Sequence, residues 1–196
     1  MLDAVPPSYW SDRPDVAARL LLWIACRRRD TGEVAPVGLW TGADDITIDI
    51  GGAERVYYGG GAILEVEPIR STSDLSVQIQ RFTLSALSPA VEVALRAREP
   101  RLAPLELHSL HYDPVTRAPL GVDLHWKGTI DRLTIETPAE GGTASAQVFA
   151  ASSTRALTRG LTAKRSHENQ ARRNGDAFFK YAAVGLVKVW WGQKAP

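Results

Sequence analysis

Sulfur is nearly absent from this chain: among 196 residues there is one cysteine, Cys26, and one methionine. A lone cysteine excludes a disulfide framework and a thiolate metal site. Long apolar runs are missing too. The longest, Leu20–Cys26, is seven residues, against about 20 for a membrane-spanning helix. Met1–Trp10 has no basic stretch leading into an apolar one and does not read as a secretory signal. Neither a fixed-period repeat nor a low-complexity tract occurs. The expectation is a protein made in a reducing cytosol, without a membrane partner.

What is present is ordinary globular material, 44% hydrophobic and 23% charged. At this length a chain buries roughly 70% of its unfolded surface and needs no staple. The formal net charge of +1 conceals an uneven distribution. Residues 151–196 hold nine Lys/Arg and two Asp/Glu, and residues 1–150 hold 14 and 20, so a +7 arm follows a −6 body. Such asymmetry implies that the two parts face different surroundings.

Short alternating runs bounded by Gly, Pro, Asp and Asn predict a mainly β chain. Leu20–Arg28 and Val34–Trp40 flank a turn at Asp30-Thr31-Gly32, and Ile46–Ile50 alternates up to Gly51-Gly52. Arg55–Tyr58 runs into Gly59-Gly60-Gly61, read as a hairpin turn. Between Leu75 and Leu84 the apolar parity changes near Gln80-Arg81, which predicts a β-bulge. Ser88-Pro89 predicts the start of a short helix over 89–98 that Pro100 stops. Leu105–Tyr112 and Val122–Trp126 flank Asp113-Pro114, and Leu133–Thr137 and Ala144–Ala150 flank Gly141-Gly142. Beyond residue 150, Asn174-Gly175 is a break, Ala177–Ala182 a turn of helix and Val187–Trp190 a last strand.

Chemistry-bearing constellations are few. His108 and His111, three apart on a strand, point to opposite faces and cannot close on one ion, and His125 faces solvent or a partner. Gly59–Gly61 is followed by no Lys-Ser/Thr pair, no Gly-x-Ser-x-Gly elbow exists, and Cys26 sits in an apolar run. Asp44-Asp45 and Asp123/Asp131 are unremarkable acidic pairs. No catalytic, cofactor-binding or metal-ligating residue is therefore assigned. The basic arm carries aromatics, Phe178, Phe179 and Tyr181, a mixture that nucleic-acid-binding surfaces also use, but no nucleic-acid motif accompanies it. Trp190-Trp191 places two indoles on opposite sides of a strand, so burying both requires a sandwiched strand or a partner chain.

The order of the pieces resembles the hub-type tail proteins of long-tailed bacteriophages, including those of prophages and gene transfer agents. The pieces are Leu39-Trp40-Thr41-Gly42, Asp45-Ile46, Tyr58-Gly59-Gly60, Leu84–Ser88, Ala103–His108, Trp126–Asp131, Arg165-Ser166, Gln170, Asp176, Phe178-Phe179 and Trp191-Gly192. The resemblance implies an N-terminal segment (1–18), a β-rich body of two interleaved, antiparallel barrel-like subdomains (19–150), and a basic C-terminal arm with a terminal strand (151–196). It implies a non-enzymatic virion protein of the tail tip or baseplate hub, made in the host bacterial cytoplasm. Such a protein forms a ring, as a trimer, that joins the tube end to distal tail, tape measure and fibre or tip proteins. Nucleic acid would be touched only if the arm lines the tail channel. Some relatives bind an iron–sulfur cluster through a cysteine-rich C-terminal region; with Cys26 alone, this chain is expected to carry none. The residues expected at subunit interfaces are Trp10, Arg165, Arg172, Arg173, Phe178, Phe179, Trp190 and Trp191. Arg outnumbers Lys by 18 to 5, which suits interfaces. Two other classes stand beside this reading: a carbohydrate- or cell-wall-binding β module, and a small hydrolase acting through His108, His111 or His125.

Overall fold

The run Leu20–Cys26 is apolar on both strand parities, and a strand apolar on both faces belongs inside a sheet covered on both sides. In the computed structural model this is where it lies. The structure describes residues 4–11, 15–70, 76–137, 144–158, 160 and 165–180. A short helix α1 (Pro7–Ser11) precedes β1 (Ala17–Ile24), β2 (Arg27–Arg28), β3 (Val37–Trp40), β4 (Ile46–Ile50), β5 (Ala53–Tyr58), β6 (Ile63–Val66) and β7 (Ile79–Ser85). Helix α2 (Pro89–Glu92) continues into a π-helical turn, Val93–Ala97, before β8 (Arg98–Glu99), β9 (Pro104–Tyr112), β10 (Pro119–Glu136) and β11 (Ser145–Ser152). Helices α3 (Arg155–Thr158) and α4 (His167–Ala171) follow. The chain forms two compact units, Met1–Leu157 and Thr158–Pro196.

The mainly β expectation holds. In place of separate barrels, nine strands form one sheet in the order β4-β5-β3-β1-β9-β10-β11-β7-β6, and β2 and β8 form a second, two-stranded sheet. All pairs are antiparallel except β3 with β5. The large sheet carries two cores on opposite faces of β1. Leu22 and Ile24 point into the larger one, with Phe82, Leu84, Leu105, Leu107, Trp126, Ile130, Val148 and the α2 residue Val91. Leu21 points into the smaller one with Ile48, Tyr57, Leu110 and Val122, against partly buried Trp23 and Trp40.

Several local expectations are corrected. No bulge interrupts β7, whose register with β11 runs unbroken from Ile79 to Ser85. Ile79 is 61% exposed and Gln80 is buried; the Gln80 side-chain amide donates to the Glu67 carbonyl, so a polar residue holds an inward place. Gly59–Gly61 is not a hairpin turn, because β5 and β6 lie far apart in the sheet; it begins a crossover. The hairpin turn is Gly51-Gly52, joining Ile50 to Ala53 with φ of 64° and 82°, the pair of positive values that a tight two-residue turn needs. The strands expected at Val122–Trp126 and Leu133–Thr137 are one, β10, of 18 residues. Register shifts at Leu124/Trp126 and Ile130/Arg132 let it bend. The stretch Leu20–Arg28 divides at Ala25-Cys26, beyond which β2 pairs with β8. The helix spans 89–97 as α2 and its π turn. Val187–Trp190 and Gly141-Gly142 lie outside the described residues.

Two tryptophans lie over a glycine two residues ahead, Trp40 over Gly42 just past the end of β3 and Trp126 over Gly128 within β10. A Cβ added at Gly42 would stand 2.1 Å from the Trp40 ring. One added at Gly128 would stand 2.3 Å from the Trp126 ring and 2.2 Å from the Ala151 carbonyl oxygen. Because a backbone carbonyl cannot swing aside, Gly128→Ala is expected to destabilise the fold by about 1–3 kcal/mol, read as a lower urea midpoint at unchanged slope. An unaltered midpoint would contradict this packing.

Candidate functional site

The expected interface residues fall into both units. Trp10, on α1, is 42% exposed and meets Tyr9 and His111 edge to face at 5.9 and 5.6 Å. In the second unit, Ser166 caps α4 by accepting from the Asn169 amide at 3.3 Å. Arg165, Arg172 and Arg173 are exposed there. Phe178 is 79% exposed and packs edge to face on Phe179 at 5.0 Å. Asp176 orders this turn by accepting from the Gln170 side chain at 2.6 Å and the Phe178 amide at 2.9 Å. Asn174 and Gly175 have φ of 52° and 74°, the break that Asn-Gly predicts. Trp190 and Trp191 lie outside the described residues.

The three histidines do not assemble. His108 is buried on the smaller-core side, His111 lies on the other side of β9 with its Nε2 3.1 Å from Asp123 Oδ2, and His125 is exposed at the β10 bulge. Among the described residues no group of three His, Cys, Asp or Glu side chains could hold a metal. Cys26 is buried with its Sγ 3.9 Å from the Ala94 carbonyl; burial pushes the thiol up to about 11, so it stays protonated near neutrality and is a poor nucleophile.

Sequence reasoning missed a polar cluster at the rim of the smaller core. Cross-strand register aligns Trp23 with Glu106 and Glu106 with Lys127. Arg55 of β5 donates to Glu106 Oε2 at 2.8 Å, and Lys127 Nζ lies 3.0 Å from Oε1. The Arg55 guanidinium also sits 4.9 Å over the Trp23 ring, a cation–π contact. Burial opposes the charge on Glu106, but the hydrogen bonds from Arg55 and Lys127 outweigh it and hold the carboxyl below its ordinary value. Burial likewise pushes His108 down and the Tyr57 hydroxyl up. Both Glu106 oxygens are engaged, so the cluster clamps β5 to β9 and β10 without leaving a free acid or base. The period-two placement of Glu106 among Leu105 and Leu107 was its available signal.

Beside it, a groove of about 1080 Å³ opens on the same face. Its walls come from Ala17 and Arg19 of β1, Trp40–Ala43, Ile46–Ile48 of β4, and Leu110, Tyr112, Pro114 and Arg117 around the β9–β10 turn. The loop after β3 builds one wall. Trp40 Nε1 donates to the Asp44 carbonyl at 2.7 Å, Gly59 donates to Asp45 Oδ1 at 3.0 Å, and Gly60 donates to the Gly42 and Ala43 carbonyls at 3.1 and 2.9 Å. Only glycine fits at 59, where a Cβ would lie 2.7–2.8 Å from three carbonyl oxygens. Thus Trp40-Thr41-Gly42, Asp45-Ile46 and Tyr58-Gly59-Gly60, separate in sequence, form one junction.

No protein-family model and no curated protein matches the sequence. The fold is similar to that of a chain in the virion of a native gene transfer agent particle, with a TM-score of 0.52 and 14% identity, covering 77% of this chain and 45% of that one. The likeness is one of fold. This chain therefore corresponds to less than half the length of that virion chain.

The cluster sets a pH dependence. A carboxyl held low in the fold contributes stability above its unfolded value of about 4.3 that is lost as pH falls through the folded value. A buried histidine held low loses stability as pH falls below about 6.5, where the unfolded chain takes up the proton first. Acidification is therefore expected to destabilise in two stages, His108 before Glu106, and His108→Gln should flatten the first. Glu106→Ala, which strands the mostly buried Arg55, is expected to cost about 2–3 kcal/mol at pH 7, and Lys127→Ala, whose side chain is mostly exposed, under about 1 kcal/mol. Urea melts from about pH 2 to 8 read both stages; equal costs for the two alanine variants at pH 7 would contradict the clamp.

Proposed function

We propose that this chain is a non-enzymatic structural protein of a phage-type virion, placed at the tail tip or baseplate hub. It would assemble as a ring, a trimer, joining the end of the tail tube to distal tail, tape measure and fibre or tip proteins. The observation that carries the reading is the likeness of this sheet to a chain of a gene transfer agent virion. The meeting of the hub-type sequence pieces in one junction at Gly42, Asp45 and Gly59 supports it. So do the exposed aromatic and basic side chains of Phe178, Arg172 and Arg173 in the second unit. A −6 body and a +7 arm give copies of the chain, or a neighbouring tail protein, oppositely charged surfaces to join. Among the described residues no helix is long and apolar enough to cross a membrane. Under this reading the chain is made in the bacterial cytoplasm and acts in the virion, and nucleic acid is met only if the arm lines the channel.

Native mass measurement of the purified protein at micromolar concentration, together with protein identification in isolated tails, tests the reading. The expected result is a trimer that dissociates as salt is raised, since exposed pairs are screened beyond about 8–10 Å, and presence of the chain in tails. Deleting the chain from Trp190 onward should abolish the oligomer and leave a folded body. A strictly monomeric protein absent from particles would contradict the proposal.

A further inference from the structure

The groove on the smaller-core face has a composition at odds with the rest of the body. Residues 1–150 carry an excess of six acidic residues, yet the groove lining contains two arginines, Arg19 and Arg117, and no carboxylate. Both arginines are exposed, and neither has an ion-pair partner among the described residues. Of the acids close in sequence to the lining, Asp45 accepts from the Gly59 amide at 3.0 Å and Asp113 from the Val115 and Thr116 amides at 2.7 and 3.0 Å, while Asp15 and Asp44 are exposed and do not line the groove. Arg117 holds φ of 57°, a conformation that non-glycine residues rarely adopt and that costs of order 1–2 kcal/mol. From this turn Arg117 lines the groove.

Two aromatic side chains accompany the cations. Trp40 is fixed by its bond to the Asp44 carbonyl and by its seat over Gly42, so it loses little freedom when a ligand arrives. Tyr112 lines the same groove. Thr41 adds a hydroxyl, which accepts from the Leu20 amide at 3.1 Å and keeps its own proton to donate. Aromatic side chains, a hydroxyl and two forked donors that form no ion pair among the described residues make a site for rings that carry hydroxyl and carboxylate groups.

We infer that this groove binds a carboxylated polysaccharide. Each guanidinium takes a carboxylate, and Trp40 and Tyr112 pack against the apolar faces of the sugar rings. Nucleic acid fits less well, since a phosphate on every residue calls for a stripe of cations and the groove offers two within an acidic body. The inference is independent of the ring proposed above and survives or fails separately from it.

Titration calorimetry on the full chain tests it with three probes: a hyaluronan hexasaccharide, the neutral chitohexaose, and an oligothymidylate of about twelve residues. The hexasaccharide is expected to bind, with chitohexaose and the oligothymidylate each weaker by about tenfold or more. In Arg19→Gln/Arg117→Gln, checked for an unchanged circular dichroism spectrum, the hexasaccharide should lose at least about tenfold while chitohexaose is unaffected. The inference is overturned by no hexasaccharide binding at millimolar concentration, by equal affinity for both glycans, by tighter binding of the oligothymidylate, or by undiminished binding in the double variant.

Discussion

Burial of β1 on both faces is the constraint from which the rest of the fold follows. Leu22 and Ile24 enter one core and Leu21 the other, all fully buried. A strand in that position must be paired on both edges and covered on both faces. β3 and β9 supply the edges. The two faces then divide the labour: one is closed by β7, β10, β11 and α2, the other by the β4–β5 hairpin. A one-residue slip of β1 would exchange its two sets of side chains between cores of different size.

The division also positions the surface features. The smaller core is shallow, with Trp23, Trp40, Ile46 and Ile50 only partly buried around it. Its rim is held by charge, Glu106 between Arg55 and Lys127, and its open side becomes the groove. The loop from Trp40 to Asp45 serves both purposes. Packed on Gly59-Gly60, it ties β3 to the crossover after β5, and it presents Trp40 to the groove. The larger core is deep and takes up the lone cysteine as a small apolar residue.

How far the sequence could be read depended on whether a signal was local. Gly51-Gly52, Asn174-Gly175 and Ser88-Pro89 carry their conformations in their own chemistry, and each lies where it was expected. The alternation in Ile46–Ile50 and Leu105–Tyr112 located strands for the same reason. Pairing partners were not local. Gly59–Gly61 reads as a hairpin turn in isolation, and only the distant placement of β6 beside β7 makes it a crossover. Gln80 misled the parity count because its inward place depends on the Glu67 carbonyl, thirteen residues away. Glu106 looked like an ordinary strand residue, since its partners Arg55 and Lys127 come from other strands. The resemblance to tail hub proteins drew together pieces whose contact at Gly42, Asp45 and Gly59 was invisible in one dimension.

The central claim is that a single strand couples both cores, and native-state hydrogen exchange tests it most directly. The amides of Leu21–Ile24 and Leu105–Leu110 are predicted to exchange only through global unfolding, with the edge strands β4 and β6 opening earlier. Exchange of Leu21–Ile24 ahead of the β7–β11 ladder, or protection of the two cores that is lost at separate denaturant concentrations, would contradict it.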